Sequence, residues 1–85
     1  MKIPNKIKIL AHNYLVKEID GLADDGSLNW LEKTILINKK LPQSRKEAVL
    51  FHEILHAING EIDEKEVEFL TQTIYQILNE NKLLK

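Results

Sequence analysis

The sequence contains no cysteine, two prolines, three glycines and few aromatic residues. Without cysteine, disulfide bonds and thiolate metal sites are excluded, so histidines and carboxylates must hold any bound metal ion. No apolar segment approaches the roughly 20 residues that a membrane-spanning helix needs, and the segment Met1–Lys6 lacks the apolar core of a signal peptide. We therefore expect a soluble cytoplasmic protein that does not bind membranes.

Neither sign of charge dominates the chain. Its 12 basic and 13 acidic residues are interspersed and give a net charge of -1. A nucleic-acid-binding protein would show a cluster of basic residues, so we expect no nucleic-acid partner. The 85 residues contain no repeat and no Pro/Gly/Ser-rich linker, which favours one domain spanning residues 1–85.

The first half of the chain has the alternating pattern of β-strands. Apolar and polar residues alternate in Lys6–Ile9, and Tyr14–Val16 follows after a polar interruption, which predicts a hairpin. Leu28–Trp30 and Thr34–Ile37 predict two further strands around a turn near Glu32–Lys33. We expect these strands to form a small antiparallel sheet.

The second half has helical periodicity. Ser44 and Glu47 have the spacing of a capping box, and Asn59–Gly60 supplies a stop signal, which predicts a helix over Arg45–Asn59. A second helix is predicted from about Asp63 to Asn79. A sheet followed by a two-helix hairpin is an α+β fold.

The first predicted helix carries the motif His52-Glu53-Ile54-Leu55-His56. Histidines four residues apart lie on the same face of a helix, so both imidazoles can bind one Zn²⁺. Glu53 can then act as the general base that takes a proton from a water molecule whose pKa the metal lowers. The alternative is that the three polar side chains occupy the solvated side of an amphipathic helix, but the motif on a capped helix favours the metal site.

A catalytic zinc site needs a third protein ligand, which the motif does not contain. The short turn between the helices returns the second helix beside the histidines, opposite a stretch that includes Glu64, Glu66 and Glu68. Capping by Asp63 and the helix dipole explain Glu64 and Glu66, so we favour Glu68 as the ligand. Glu64, Glu66 and, in the turn, Glu61 remain alternatives.

Several segments together carry a resemblance: His52–Ile58, Leu41–Pro42, Ser44–Glu47, Glu68 and Tyr75–Leu78, with the strand segments Ile7–Ile9, Tyr14–Val16 and Ile35–Asn38. In these segments the chain resembles small phage-associated proteins of the ImmA/IrrE-like zinc metallopeptidase family. The resemblance implies a minimal zincin-like domain that binds Zn²⁺ through the two motif histidines and a downstream glutamate. It also implies the motif glutamate as general base and, as partner, a regulatory protein such as a repressor.

The sequence also departs from larger members of that family. Their glutamate ligand usually stands in an E-A-N/D stretch, whereas Glu68 is followed by Phe69 and Leu70. The favoured function is that of a phage or mobile-element metallopeptidase, a hydrolase that cleaves a peptide bond in a regulatory protein or peptide. The alternative is a non-catalytic, phage-type interaction protein whose metal site is structural or vestigial.

Overall fold

The structure, a computed structural model, describes residues 1–84 and has four strands followed by two helices. The elements are β1 (Lys6–Ile9), β2 (His12–Ile19), β3 (Gly26–Asn29), β4 (Thr34–Asn38), α1 (Gln43–Ile58) and α2 (Glu64–Glu80). The predicted α+β class is therefore confirmed. Among residues 1–84, no helix combines the length and the apolar character needed to cross a membrane.

The four strands form one sheet in the order β1-β2-β4-β3. Both predicted hairpins, β1 with β2 and β3 with β4, are present and antiparallel. The central pair is parallel, with Val16 of β2 opposite Ile35 of β4, so the prediction of a purely antiparallel sheet was wrong for this pair. The pair is parallel because β4 lies between β2 and β3, so that the two hairpins meet through β2 and β4. Local periodicity does not indicate which strands of two hairpins become neighbours. In this strand order β3 is an edge strand.

One face of the sheet packs against α1. Alternate residues of β2 and β4 point to this face, namely Tyr14, Val16, Ile35 and Ile37, and together with Ile3, Ile9, Val49 and Leu50 they form the buried core. Helix α1 also contacts α2, in which Val67 is fully buried. Because α1 lies between the sheet and α2, residues on its two sides can meet groups from both.

Helix α1 begins earlier than predicted and without the predicted capping box. It starts at Gln43, with Pro42 as an N-cap that makes no side-chain hydrogen bond, so the assignment of Ser44 as N-cap was wrong. Glu47 makes no capping-box hydrogen bond to Ser44, although Gln43 at the start of the helix donates a hydrogen bond to its Oε2. Its Oε1 instead accepts a hydrogen bond of 2.8 Å from the Tyr75 hydroxyl of α2.

Glu47 is buried at the interface between the two helices. Burial works against ionisation of its carboxyl, but hydrogen bonds from Tyr75, Gln43 and the amino group of Met1 outweigh that effect and hold its pKa below the ordinary value. Burial, together with the hydrogen bond to Glu47 and the negative charge of its carboxylate, raises the pKa of Tyr75 to about 12. This pair therefore joins α1 to α2 at the end of the interface away from the motif.

Helix α2 begins as the sequence predicts. Asp63 is its N-cap, and the Oδ2 atom of Asp63 accepts a hydrogen bond of 3.2 Å from the backbone amide of Lys65. The cap fixes where the helix starts and therefore which residues occupy its first turn. Glu64 is the first of them.

Candidate metal centre

The two motif histidines converge as their spacing predicts. His52 and His56 lie one turn apart on α1, and their Nε2 atoms are 3.2 Å apart. Their rings meet edge to face with centroids separated by 4.8 Å, and both side chains are partly buried. Two imidazole nitrogens are therefore directed at one small region of space.

A carboxylate from the second helix completes the group. Glu64 Oε1 lies 2.7 Å from His52 Nε2, and Glu64 Oε2 lies 3.1 Å from His56 Nε2. Among residues 1–84, the group that could hold a metal ion consists of His52, His56 and Glu64, whose candidate ligand atoms all lie within 4.8 Å of one another. Its members come from both helices.

The structure does not bring the predicted third ligand, Glu68, into this group. Glu68 lines the cavity beside the histidines, one helical turn beyond Glu64. Neither Glu61 nor Glu66 belongs to the group. The sequence argument set Glu64 aside because the helix dipole explains an acidic residue in a first turn, but a side chain favoured by the dipole can also face a metal site.

The geometry of this group fits a zinc ion. Zn–N bonds of about 2.0–2.1 Å in a tetrahedron place neighbouring ligand atoms about 3.3 Å apart. The two Nε2 atoms are separated by 3.2 Å, which is close to that spacing. Hydrogen bonding alone cannot account for the three contacts among His52, His56 and Glu64. Each of the two Nε2 atoms carries at most one proton, so at most two of the three contacts can be hydrogen bonds. A cation accepts lone pairs from all three.

Glu53 lies between the metal group and the sheet. Its side chain lines the cavity, although the residue is only 7% exposed. Burial raises the pKa of the Glu53 carboxyl above its ordinary value, against the opposite effect of charge on His52 and His56. A carboxylate with a raised pKa beside a metal group is suited to taking up a proton.

Gly26, the first residue of β3, allows α1 to approach the sheet at this point. A Cβ atom on Gly26 would lie 2.5 Å from Val49 Cγ1, 3.0 Å from the Leu36 carbonyl oxygen and 3.2 Å from Glu53 Oε2. The absence of a side chain therefore makes room for the Glu53 carboxylate. Sequence reasoning did not single out Gly26, although a glycine in a strand often marks a close approach.

The sequence matches the Peptidase_M78 family, described as the IrrE N-terminal-like domain, over residues 5–81. The chain belongs to this family. The match includes all six secondary-structure elements and every residue of the metal group. It confirms the resemblance found in the sequence and supports a metallopeptidase-type domain. Comparisons with curated proteins and with solved structures gave no significant match.

In this member of the Peptidase_M78 family, a cavity of about 430 Å³ opens beside the metal group. Its walls come from the loop before β3, from α1 and from α2. Beyond the groups already described, the polar lining residues are Asp24, Asp25, Arg45, Glu68, Thr71 and Gln72. The cavity is large enough for an amino-acid side chain and lies next to both Glu53 and Glu64.

Proposed function

We propose that this protein is a zinc-dependent peptidase that hydrolyses a peptide bond in a protein substrate. The observation that supports the proposal most strongly is the meeting of His52, His56 and Glu64 beside the buried carboxylate of Glu53. These residues combine a candidate ligand set with a candidate base. Membership of the Peptidase_M78 family supports the same chemistry.

The ligand set favours a catalytic site over a structural one. A structural zinc site is usually closed by four protein ligands, whereas a catalytic site has three and leaves a position open. Among residues 1–84, three ligating groups converge, and the cavity lies beside them. The proposal therefore assigns His52, His56 and Glu64 as ligands of one Zn²⁺. When bound, Zn²⁺ acts as a Lewis acid that polarises the substrate carbonyl and lowers the pKa of water.

Glu53 is the proposed general base. Its carboxylate accepts a proton as a water oxygen forms a bond to the carbonyl carbon of the substrate. The protonated carboxyl then donates that proton to the amide nitrogen as the C–N bond breaks, so Glu53 is regenerated. Its 7% exposure keeps the carboxylate poorly solvated until water or substrate enters, which favours proton uptake.

The edge strand β3 supplies a place for an extended substrate. One side of β3 pairs with β4, and the other side has no partner strand within residues 1–84. An extended peptide can add to such an edge through backbone hydrogen bonds. Gly26 at the start of β3 lies beside Glu53, so a peptide bound along this edge would reach the proposed base.

The proposed substrate is a regulatory protein, such as a repressor encoded by a phage or another mobile element. This choice extends the resemblance to ImmA/IrrE-like proteins. The competing function is that of an interaction protein that binds such a partner through the same surface without cleaving it. The two functions differ in one measurable property, the appearance of a new amino terminus in the partner.

The proposal is tested by incubating the zinc-loaded protein with a library of peptides and unfolded proteins and identifying new termini by mass spectrometry. The matched control is Glu53→Gln, which preserves the size of the side chain but cannot accept the proton. We expect cleavage by the wild type and none by Glu53→Gln, while both bind zinc. Equal cleavage by the two proteins, or zinc-loaded wild type that binds its partner and leaves it intact, would exclude the peptidase.

A further inference from the structure

We propose that the cavity beside the metal group binds the cationic side chain of a lysine or arginine next to the scissile bond. This inference rests on the proposed peptidase function and specifies its substrate class. Three features of the cavity carry it: an excess of carboxylates, two acidic side chains without a cationic partner, and a buried hydroxyl without a hydrogen-bond partner.

The cavity is lined predominantly by acidic groups. Five carboxylates face one cationic side chain: Asp24, Asp25, Glu53, Glu64 and Glu68 against Arg45. The cation is already engaged, because both Nε and Nη2 of Arg45 contact Asp25 Oδ2, at 3.1 Å and 2.9 Å. The lining therefore keeps an excess of negative charge even when a divalent cation is bound by His52, His56 and Glu64.

Two of the five carboxylates have no role in the proposed chemistry. Glu64 is assigned as a ligand, Glu53 as the base, and Asp25 is paired with Arg45. Asp24 and Glu68 remain, and within residues 1–84 no cationic side chain lies within ion-pair distance of either. A substrate cation can therefore approach them without displacing an existing partner.

Thr71 supplies an independent indication of a ligand. The residue is 4% exposed, and its buried Oγ1 has no hydrogen-bond partner among the described residues. Buried hydroxyls are usually hydrogen-bonded, so an unpaired hydroxyl on a residue that lines a cavity indicates that a partner is missing. Thr71 lies three residues after Glu68 on α2, so both side chains occupy the same face of the helix and line the same cavity.

The pairing of Glu68 with Thr71 suits a cation that also donates hydrogen bonds. A guanidinium or ammonium group can donate one hydrogen bond to the Glu68 carboxylate. It can donate another to Thr71 Oγ1 if the Thr71 side chain rotates toward the cavity, because Oγ1 is buried in the unliganded protein. An acidic substrate side chain would meet like charge on Asp24 and Glu68, which disfavours it. An aliphatic side chain would leave the Thr71 hydroxyl without a partner. The lining therefore discriminates in favour of lysine and arginine.

The test uses blocked peptide hydroxamates, whose chelating group binds zinc whether or not the protein hydrolyses peptides. Four probes differ only in the side chain next to the hydroxamate: arginine, lysine, norleucine and glutamate. Norleucine matches the length of lysine without its charge. Dissociation constants of the four probes for the zinc-loaded protein are measured by calorimetry at low and high salt.

We expect the arginine and lysine probes to bind about tenfold more tightly than norleucine, equivalent to about 1.4 kcal/mol, and the glutamate probe to bind most weakly. Glu68→Gln should remove most of this preference, and Thr71→Val should reduce it. Glu66→Gln is the matched control, because it removes the same charge from an exposed position on the same helix that does not line the cavity. It should preserve the preference.

The outcomes separate this inference from the proposed function. If all four probes bind equally, or if the glutamate probe binds best, the cavity does not select cations although the metal site is correct. The same conclusion follows if Glu68→Gln and Glu66→Gln reduce the preference equally, because the effect would then be one of overall charge. If no hydroxamate binds, the metal site and this inference are both wrong.

Discussion

The Nε2 atom of His52 lies 2.7 Å from Oε1 of Glu64, so the middle of α1 meets the first turn of α2 at this contact. A metal ion held at this point would link the two helices directly. Because the hairpin also depends on the distant contact between Glu47 and Tyr75, the helix pair is connected near both ends. Zinc binding should therefore affect stability as well as chemistry.

Zinc should raise the melting temperature. A ligand that binds only the folded state at 100 times its Kd adds about 2.7 kcal/mol, which corresponds to an increase on the order of 10 °C or more for a domain of this size. Thermal unfolding followed by circular dichroism, with and without a chelator, measures the effect. The melting temperature of His56→Ala should not respond to zinc, and an equal response in that variant would contradict the assignment.

Glu64 and Glu68 should differ in their importance for zinc binding. Glu64→Gln should weaken binding by roughly 100-fold or more, because even residues that only orient a metal ligand typically contribute about 10- to 100-fold. Glu68→Gln should change the zinc affinity far less, since Glu68 lies outside the ligand group. Competition with a chromophoric chelator measures both affinities. A larger loss in Glu68→Gln would restore the assignment made from the sequence.

Glu47 should make the free energy of unfolding depend on pH in the acidic range. Its pKa in the folded protein lies below the ordinary value of 4.5, so the unfolded chain takes up a proton first as the pH falls. The stabilisation by ionised Glu47 is fully present above pH 4.5. It is lost as the pH falls from 4.5 through the pKa that Glu47 has in the folded protein. Glu47→Gln should lower the free energy of unfolding at neutral pH by about 1–3 kcal/mol.

The measurement is urea denaturation between neutral pH and about pH 3. The wild type should lose more stability over this range than Glu47→Gln, in which this group no longer titrates. Glu61→Gln serves as the control, because Glu61 is exposed and lies in the turn between the helices. If the stability of all three proteins fell in parallel, the buried network around Glu47 would not be the source of the acid sensitivity.

Gly26→Ala should damage both the packing and the site. The added Cβ would lie 2.5 Å from Val49 Cγ1 and 3.0 Å from the Leu36 carbonyl oxygen, which should cost about 1–3 kcal/mol. Displacement of Glu53 should also reduce hydrolysis in the fraction that remains folded. Denaturation and cleavage assays are compared with Ser27→Ala, a change at an exposed position of the same strand. Wild-type stability in Gly26→Ala would show that α1 does not approach β3 this closely.

Local sequence patterns were sufficient to predict the order of strands and helices and two of the three residues of the metal group. Alternation and turn residues predicted both hairpins, and the spacing of His52 and His56 predicted their convergence because it depends only on helix geometry. The parallel pairing of β2 with β4 could not be predicted in the same way. It joins residues such as Val16 and Ile35 that are distant in the sequence, and neither strand pattern specifies its neighbour.

The remaining errors arose from contacts between elements. Ser44 and Glu47 had the spacing of a capping box, but Glu47 instead meets Tyr75 across the helix interface. The preference for Glu68 arose in a different way. Glu64 and Glu66 were set aside because capping and the helix dipole explain acidic residues in the first turn of α2. That explanation does not prevent Glu64 from facing the histidines, which is where the structure places it.

The central claim is that one Zn²⁺ is held by His52, His56 and Glu64. Anomalous diffraction at the zinc edge from crystals of the zinc-loaded protein tests it most directly. The account predicts one peak, about 2.0–2.1 Å from both Nε2 atoms and about 2.0–2.2 Å from a Glu64 oxygen, with a position left open for water. A peak bound by Glu68 in place of Glu64, a site closed by a fourth protein ligand, or no peak between His52 and His56 would contradict it.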